Sequence, residues 1–415
     1  MPRRNLAILI AVTIISLACA LKADRFGSVL SYAMREVRGR YLEEVDQQVL
    51  FEGAMDGMMR SLDREFDDKH SAYIRPEKLQ AFEEKLSQEF GGVGMEVTLS
   101  PETKQLTVAM PLPGSPAAEA GILAGDRIMR IDGQSAEGLS LPDAVKLMHG
   151  ETGTSVVLTV LHKGQDDPVE IEIVRAVIQI DTVVGHDRND DGSWKFFLEG
   201  EDKIAYVRIR SFADNTAEEM REVMRQLVDD GVRGLVLDLR GDPGGFLEQA
   251  VKVCDMFVSQ GVIVSTRRRH DHIYRVFNAA AKDTLPDFPV AVLVNGYTAS
   301  ASEILAACLQ DHRRAVIVGE RTFGKGTIQE LIELESKYGM LKLTTGTYWR
   351  PSEKDINRRK GEDENDDWGV RPDEGFKVAF PAREEVEKAQ KNGDFVDPQL
   401  EKAKEYLRSK LPDKS

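Results

Sequence analysis

Val290-Ala291-Val292-Leu293-Val294-Asn295-Gly296-Tyr297-Thr298-Ala299-Ser300-Ala301-Ser302-Glu303 is the stretch on which the reading of this chain turns. Its first five residues form an unbroken apolar, valine-rich run, too short for a helix and typical of a strand covered on both faces. A polar turn follows, and from Ser300 to Gln310 the pattern is helical. Ser300 and Glu303 fit a capping box, so the serine can simply close the helix N-terminus. The same position has a second use. A serine at a strand-to-helix turn stands at the sheet edge, where the free N–H groups of the helix start can hold an oxyanion.

The alternation recurs on either side. Ile204–Ile209 reads as a strand before a helix over Ala217–Val228, and Gly234–Leu239 as a strand before Phe246–Phe257. Ala315–Val318 reads as a strand after the Ser300 helix. Strand–helix repetition of this kind predicts an α/β core with a mixed, mostly parallel sheet and covering helices, over residues 204–380. A tail at 381–415 carries an amphipathic helix at Pro398–Leu411, and Ser352–Asp367 reads as an exposed charged loop.

Upstream, residues 28–88 read as helices, with Met55, Met58 and Met59 as core filler. At Phe90 the texture changes to short alternating strands separated by turn signals, a unit spanning 90–176. The connector at 177–203 contains Asp187-Arg188-Asn189-Asp190-Asp191-Gly192, which begins like a calcium loop. The twelfth position is Leu198 where a bidentate Glu is required, so the stretch is read as a hairpin turn.

With 415 residues, a prior of roughly 150 per domain gives two to three domains. The chain is 41% apolar and carries a net charge of −15, which excludes a disordered chain and argues against nucleic acid as a partner. Arg3 and Arg4 precede an apolar run, Leu6–Leu21, that ends in Ala18-Cys19-Ala20. Residues 1–21 therefore read as a signal peptide or a signal anchor, and the rest as exported, periplasmic or otherwise extracytoplasmic, with membrane anchorage if the segment is retained. Three cysteines build no disulfide framework, and Cys254 and Cys308 fall on apolar stripes as buried thiols.

Two further segments could carry chemistry. Gly319-Glu320-Arg321-Thr322-Phe323-Gly324-Lys325-Gly326-Thr327 nearly matches a phosphate loop, but Gly326 stands where Ser or Thr must reach magnesium, and a strand follows. Asp238-Leu239-Arg240-Gly241-Asp242-Pro243-Gly244-Gly245 ends a buried strand with a glycine pair that could leave a backbone N–H beside a reacting carbonyl. A serine nucleophile needs a base, and no histidine lies in a partner motif. A lysine must be neutral to serve, which needs its pKa to fall from about 10.4 to roughly 7–8, on the order of 4 kcal/mol of environmental bias. An apolar pocket near Phe323 could supply it.

With these motifs in hand, the chain from about residue 30 to 411 resembles the carboxyl-terminal processing peptidases, or tail-specific proteases. Thr298–Ile304 is similar to the family's nucleophile motif, Thr322–Gln329 to its lysine motif, and Asp238–Gly245 to its third signature. The resemblance implies a crotonase-like peptidase core, a PDZ domain and a helical N-terminal region. It implies Ser300 as nucleophile, Lys325 as general base and Gln329 as the residue orienting the lysine. Ala301 and one of Gly244 and Gly245 would form the oxyanion hole. Phe90-Gly91-Gly92-Val93-Gly94 would be the PDZ loop that takes a C-terminal carboxylate, with the peptide added beside Met95–Val97. Where the family often has an arginine before a glycine, this chain has His149-Gly150, so protonation near pH 6.5 could modulate coupling. The expected partners are protein substrates with apolar C-terminal tails, and neither metal nor cofactor is implied. The alternatives are an inactive PDZ scaffold that binds tails and an esterase for small substrates. The sequence leaves self-association open.

Overall fold

The computed structural model describes residues 25–100, 103–189, 191–392 and 395–411. The expectations for Arg3–Leu21 and Cys19 lie outside the described residues. Among those described, no helix is long and apolar enough to cross a membrane. The described residues divide into two compact units, one within residues 25–77 and 329–344 and the other within 78–328 and 345–411.

The first unit holds α1 (Arg25–Arg40), α2 (Gln47–Phe66) and β1 (Ala72–Ile74). Asp46 caps α2 by accepting from the N–H of Gln48 at 2.8 Å. Residues 340–342 return to pair antiparallel with β1, and Tyr73 donates to the carbonyl of Tyr338 at 2.8 Å. Of the three methionines expected as core, Met55 is buried but Met58 is 47% exposed. A three-residue strand cannot cover a 20-residue helix, so only one face of α2 is packed.

In the second unit α3 (Pro76–Ser87) leads into the strand-rich region: β2 (Glu89–Gly92), β3 (Met95–Leu99), β4 (Leu106–Pro111), β5 (Arg127–Ile131), β6 (Gln134–Ser135), β7 (Ser155–Leu161), β8 (Val169–Val174) and β9 (Ala176–Gln179). Strands β3, β4, β5, β7 and β8 form one antiparallel sheet, with the short helices α4 (Pro116–Glu119) and α5 (Leu141–Met148) between them. Strand β7 alternates buried Val156, Leu158 and Val160 with less covered neighbours, the period-2 pattern that gives this region its own core. β2 pairs with β9.

The expected hairpin is present. β10 (Val183–Val184) is followed by β11 (Asp187–Arg188), which pairs antiparallel with β12 (Trp194–Lys195). Then come β13 (Ile204–Ile209), α6 (Thr216–Asp229), β14 (Gly234–Asp238), α7 (Leu247–Phe257), β15 (Val262–Arg268), β16 (His272–Asn278), β17 (Val290–Val294), α8 (Ala301–Asp311), β18 (Val316–Gly319), β19 (Thr327–Glu333), β20 (Met340–Trp349), α9 (Arg383–Asn392) and α10 (Pro398–Lys410). β13, β14, β17 and β18 are parallel neighbours in one sheet, with β10 antiparallel at its edge. Every residue of β14, β17 and β18 is buried, because helices cover both faces. α7 and α8 fill one face, where Cys254 and Cys308 lie as buried free thiols. α10 covers the other, through Ala403 and Leu407 against Val236, Leu293 and Val318. The start of α10 is tied to the sheet by Arg240, which pairs with Asp238 and with Asp397, both at 2.7 Å.

Leu407 is wholly buried. Leu407→Ala should cost about 2–4 kcal/mol in chemical denaturation, whereas truncation of exposed Leu123 should cost little.

Candidate active site

Three loops leave the carboxyl ends of adjacent parallel strands: residues 239–246 after β14, 295–300 after β17 and 320–326 after β18. These are the three motifs of the sequence, brought side by side by strand order. Backbone bonds continue the sheet into them, from Leu239 N–H to the carbonyl of Leu293 and from Glu320 N–H to that of Val294.

Ser300 sits at φ 60° and ψ −117°, outside the extended conformation of an ordinary N-cap. Such a backbone persists only where its surroundings over-determine it. The constraint is Glu303, fully buried one turn into α8. Its Oε2 accepts from the N–H groups of Ser300 and Lys325, each at 2.8 Å. Its Oε1 accepts from the Thr322 hydroxyl at 2.6 Å and from Gly324 N–H at 2.7 Å. Burial pushes the Glu303 carboxyl above the ordinary carboxylate range, while the four donors pull it back. The sequence had marked Glu303 only as half of a capping box. The available signal was its place in a helix whose following residues, Ile304–Leu309, are all apolar.

The third loop closes on the turn from the other side. Gly244, at φ +91°, lies so close that a Cβ there would meet Ala299 O at 2.6 Å and Ser300 Cβ at 2.8 Å. Its N–H donates to Asp242 Oδ1 at 2.8 Å. Gly245 is exposed, and among the described residues its N–H and that of Ala301 have no acceptor.

Lys325 is half-buried and flanked by glycines that let the chain run against its neighbours. A Cβ on Gly326 would stand 2.3 Å from Asn357 N. The apolar pocket expected at Phe323 is not built from that side chain, which is 50% exposed. Ile356 and the adjoining Trp368 are buried instead, so the segment expected to be an exposed loop is anchored, with Asp355 largely covered and most of its other charged residues exposed. Gln329 falls in the first unit, where it donates to Thr344 Oγ1 at 3.3 Å, and Thr344 donates to Asp68 at 3.0 Å.

In the strand-rich region, Phe90, Gly91 and Gly92 belong to β2, so only Val93 and Gly94 make the turn before Met95 and β3. A groove of about 600 Å³ is lined by Phe90, Met95 and Val97, by Val145 and His149 across from them, and by Glu84 of α3. His149 stacks on Phe90 with centroids 4.2 Å apart. Burial lowers its pKa below the ordinary 6.5, so protonation needs a more acidic pH than the sequence implied. An arginine does reach this corner, from the junction between β8 and β9: Arg175 donates to the carbonyls of Met148 at 2.9 Å and Leu147 at 3.0 Å.

The sequence pattern of peptidase family S41 matches residues 203–375, and that of a PDZ domain matches residues 107–161. A carboxy-terminal-processing protease of Bartonella bacilliformis is 40% identical over 332 residues, 79% of this chain and 71% of that one. A carboxyl-terminal-processing protease of Picosynechococcus sp. is 38% identical over 74% of this chain and 69% of its own. A solved structure described as a photosystem II D1 C-terminal processing protease is 31% identical, covering 84% of this chain and 86% of its own, with a TM-score of 0.47. The chain belongs to the carboxy-terminal processing proteases, serine peptidases of family S41 that carry a PDZ domain.

Glu303→Gln keeps the shape but turns an amide NH₂ toward hydrogen-bond donors. It should lower stability by about 2–4 kcal/mol and slow labelling of Ser300 by a fluorophosphonate, both measurable on one preparation.

Proposed function

We propose that this chain is an exported serine endopeptidase that captures protein substrates by their apolar C-terminal tails and cleaves them by a Ser/Lys mechanism. The observation that carries the reading is the shared acceptor: the N–H groups of Ser300 and Lys325 meet on one oxygen of Glu303, so their backbones are at most two hydrogen-bond lengths apart. Ser300 Oγ attacks the scissile carbonyl as Lys325 Nζ takes its proton. The tetrahedral oxyanion is held by the N–H groups of Ala301 and Gly245, Gly244 being committed to Asp242. The lysine returns the proton to the leaving amine, and water then hydrolyses the acyl-enzyme. The orienting role of Gln329 rests on the family resemblance. The basic start and apolar run of residues 3–21 support export.

Ser300→Ala, Lys325→Ala and Lys325→Arg should each reduce proteolysis at least about a thousandfold with unaltered circular dichroism. Arginine stays charged at working pH, so substantial cleavage by folded Lys325→Arg would place the base elsewhere.

Tail capture has its own test, read by titrating free and C-terminally amidated apolar peptides against Ser300→Ala protein. Loss of the carboxylate should weaken binding about tenfold to a hundredfold, and equal affinities would refute the role of the Val93–Gly94 turn.

A further inference from the structure

Asp242 is a second buried carboxyl beside the nucleophile turn, and its surroundings are the reverse of those of Glu303. It has no exposed surface. Its Oδ1 accepts from Gly244 N–H at 2.8 Å, while among the described residues its Oδ2 has no partner. The Ser302 hydroxyl, close enough to favour the charged form, donates to the main-chain carbonyl of Asp242 at 3.3 Å. That carbonyl also accepts from Ala299 N–H at 3.0 Å. One residue thus holds the loop that abuts Ser300 through its side chain and the turn that carries Ser300 through its main chain.

The charged group facing it from β13 is Arg208, whose Nε is itself buried without a partner and whose Nη2 donates to the carbonyl of Arg240. From α8 it meets only the neutral hydroxyl of Ser302. Arg240, in its own loop, is turned onto Asp238 and Asp397. Burial outweighs these helpers and pushes the carboxyl up to about 7.

We propose that Asp242 is a positioning residue that must be protonated for Ser300 to be acylated, so that its ionisation limits the reaction on the alkaline side. A protonated carboxyl still accepts from Gly244 through its carbonyl oxygen, so the tether is kept and only the charge is removed. An ionised Asp242 sets a fixed negative charge one hydrogen bond behind Gly244, in a water-poor site where negative charge must grow on the substrate oxygen. Lys325 must be neutral and Asp242 must be neutral, and the two requirements bound activity from opposite sides. The inference rests on Ser300 as the nucleophile.

The test is the rate of Ser300 labelling by a fluorophosphonate across pH 5.5–9.5, on the full chain and on Asp242→Asn. The wild-type rate should fall about tenfold per unit above its optimum. Asp242→Asn should keep the acid limb, lose the alkaline one and react at least about tenfold faster than wild type at pH 9. Its melting temperature should gain more at pH 8 than at pH 5. The sign follows from a folded pKa raised above the unfolded one: the carboxyl costs stability progressively as pH rises from its unfolded pKa toward 7. An unchanged alkaline limb in folded Asp242→Asn, or loss of labelling at every pH, overturns the proposal. Probe reaction with Ser300→Ala would instead overturn the nucleophile assignment beneath it. Should the variant not fold, infrared titration of wild type with carboxyl-labelled aspartate decides. A buried protonated aspartic acid whose loss tracks the fall in labelling supports the proposal, and its absence at neutral pH contradicts it.

Discussion

A single carboxylate, that of Glu303, joins two loops that the chain places some twenty residues apart. It accepts from Ser300 N–H, Gly324 N–H, Lys325 N–H and the Thr322 hydroxyl, and no part of it reaches solvent. Unmade, such an arrangement would leave four buried donors facing an empty or neutral site, each costing about 1–3 kcal/mol. Made, it holds Ser300 in a backbone conformation that a serine does not adopt unaided. The remaining geometry follows from it. Once the Ser300 turn is fixed, Gly244 can press against it only because it has no Cβ.

The sheet makes that carboxylate useful. Parallel strands β14, β17 and β18 end at one edge, so three motifs spread over nearly ninety residues open into the same region. The α/β core with its fully buried strands and the strand-rich PDZ region each bury a hydrophobic cluster of their own.

Much of this was legible in the residues. The apolar runs at Ile204–Ile209, Val290–Val294 and Ala315–Val318 announced buried strands because a strand covered on both faces needs no polar alternation. Ser300 and Lys325 stood out through local chemistry, a strand-to-helix turn and a lysine between glycines. What stayed hidden was tertiary. Glu303 looked like a cap because its other donors come from a loop twenty residues on. Asp242 looked like a turn residue because nothing local says that it is buried. Met58 followed a helical stripe that the fold leaves half uncovered. His149 marked a missing arginine, while Arg175 reaches the same corner from the β8–β9 junction, whose neighbourhood only the folded chain defines.

If one carboxylate locks the Ser300 and Lys325 loops, their amides must open together. Residue-resolved hydrogen exchange of the wild-type chain measures this without any substitution. The account requires that the amides of Ser300, Gly324 and Lys325 share one strong protection, well above that of the exposed residues of their own loops. Exchange of Lys325 at the rate of an exposed loop, with Ser300 still protected, would contradict it.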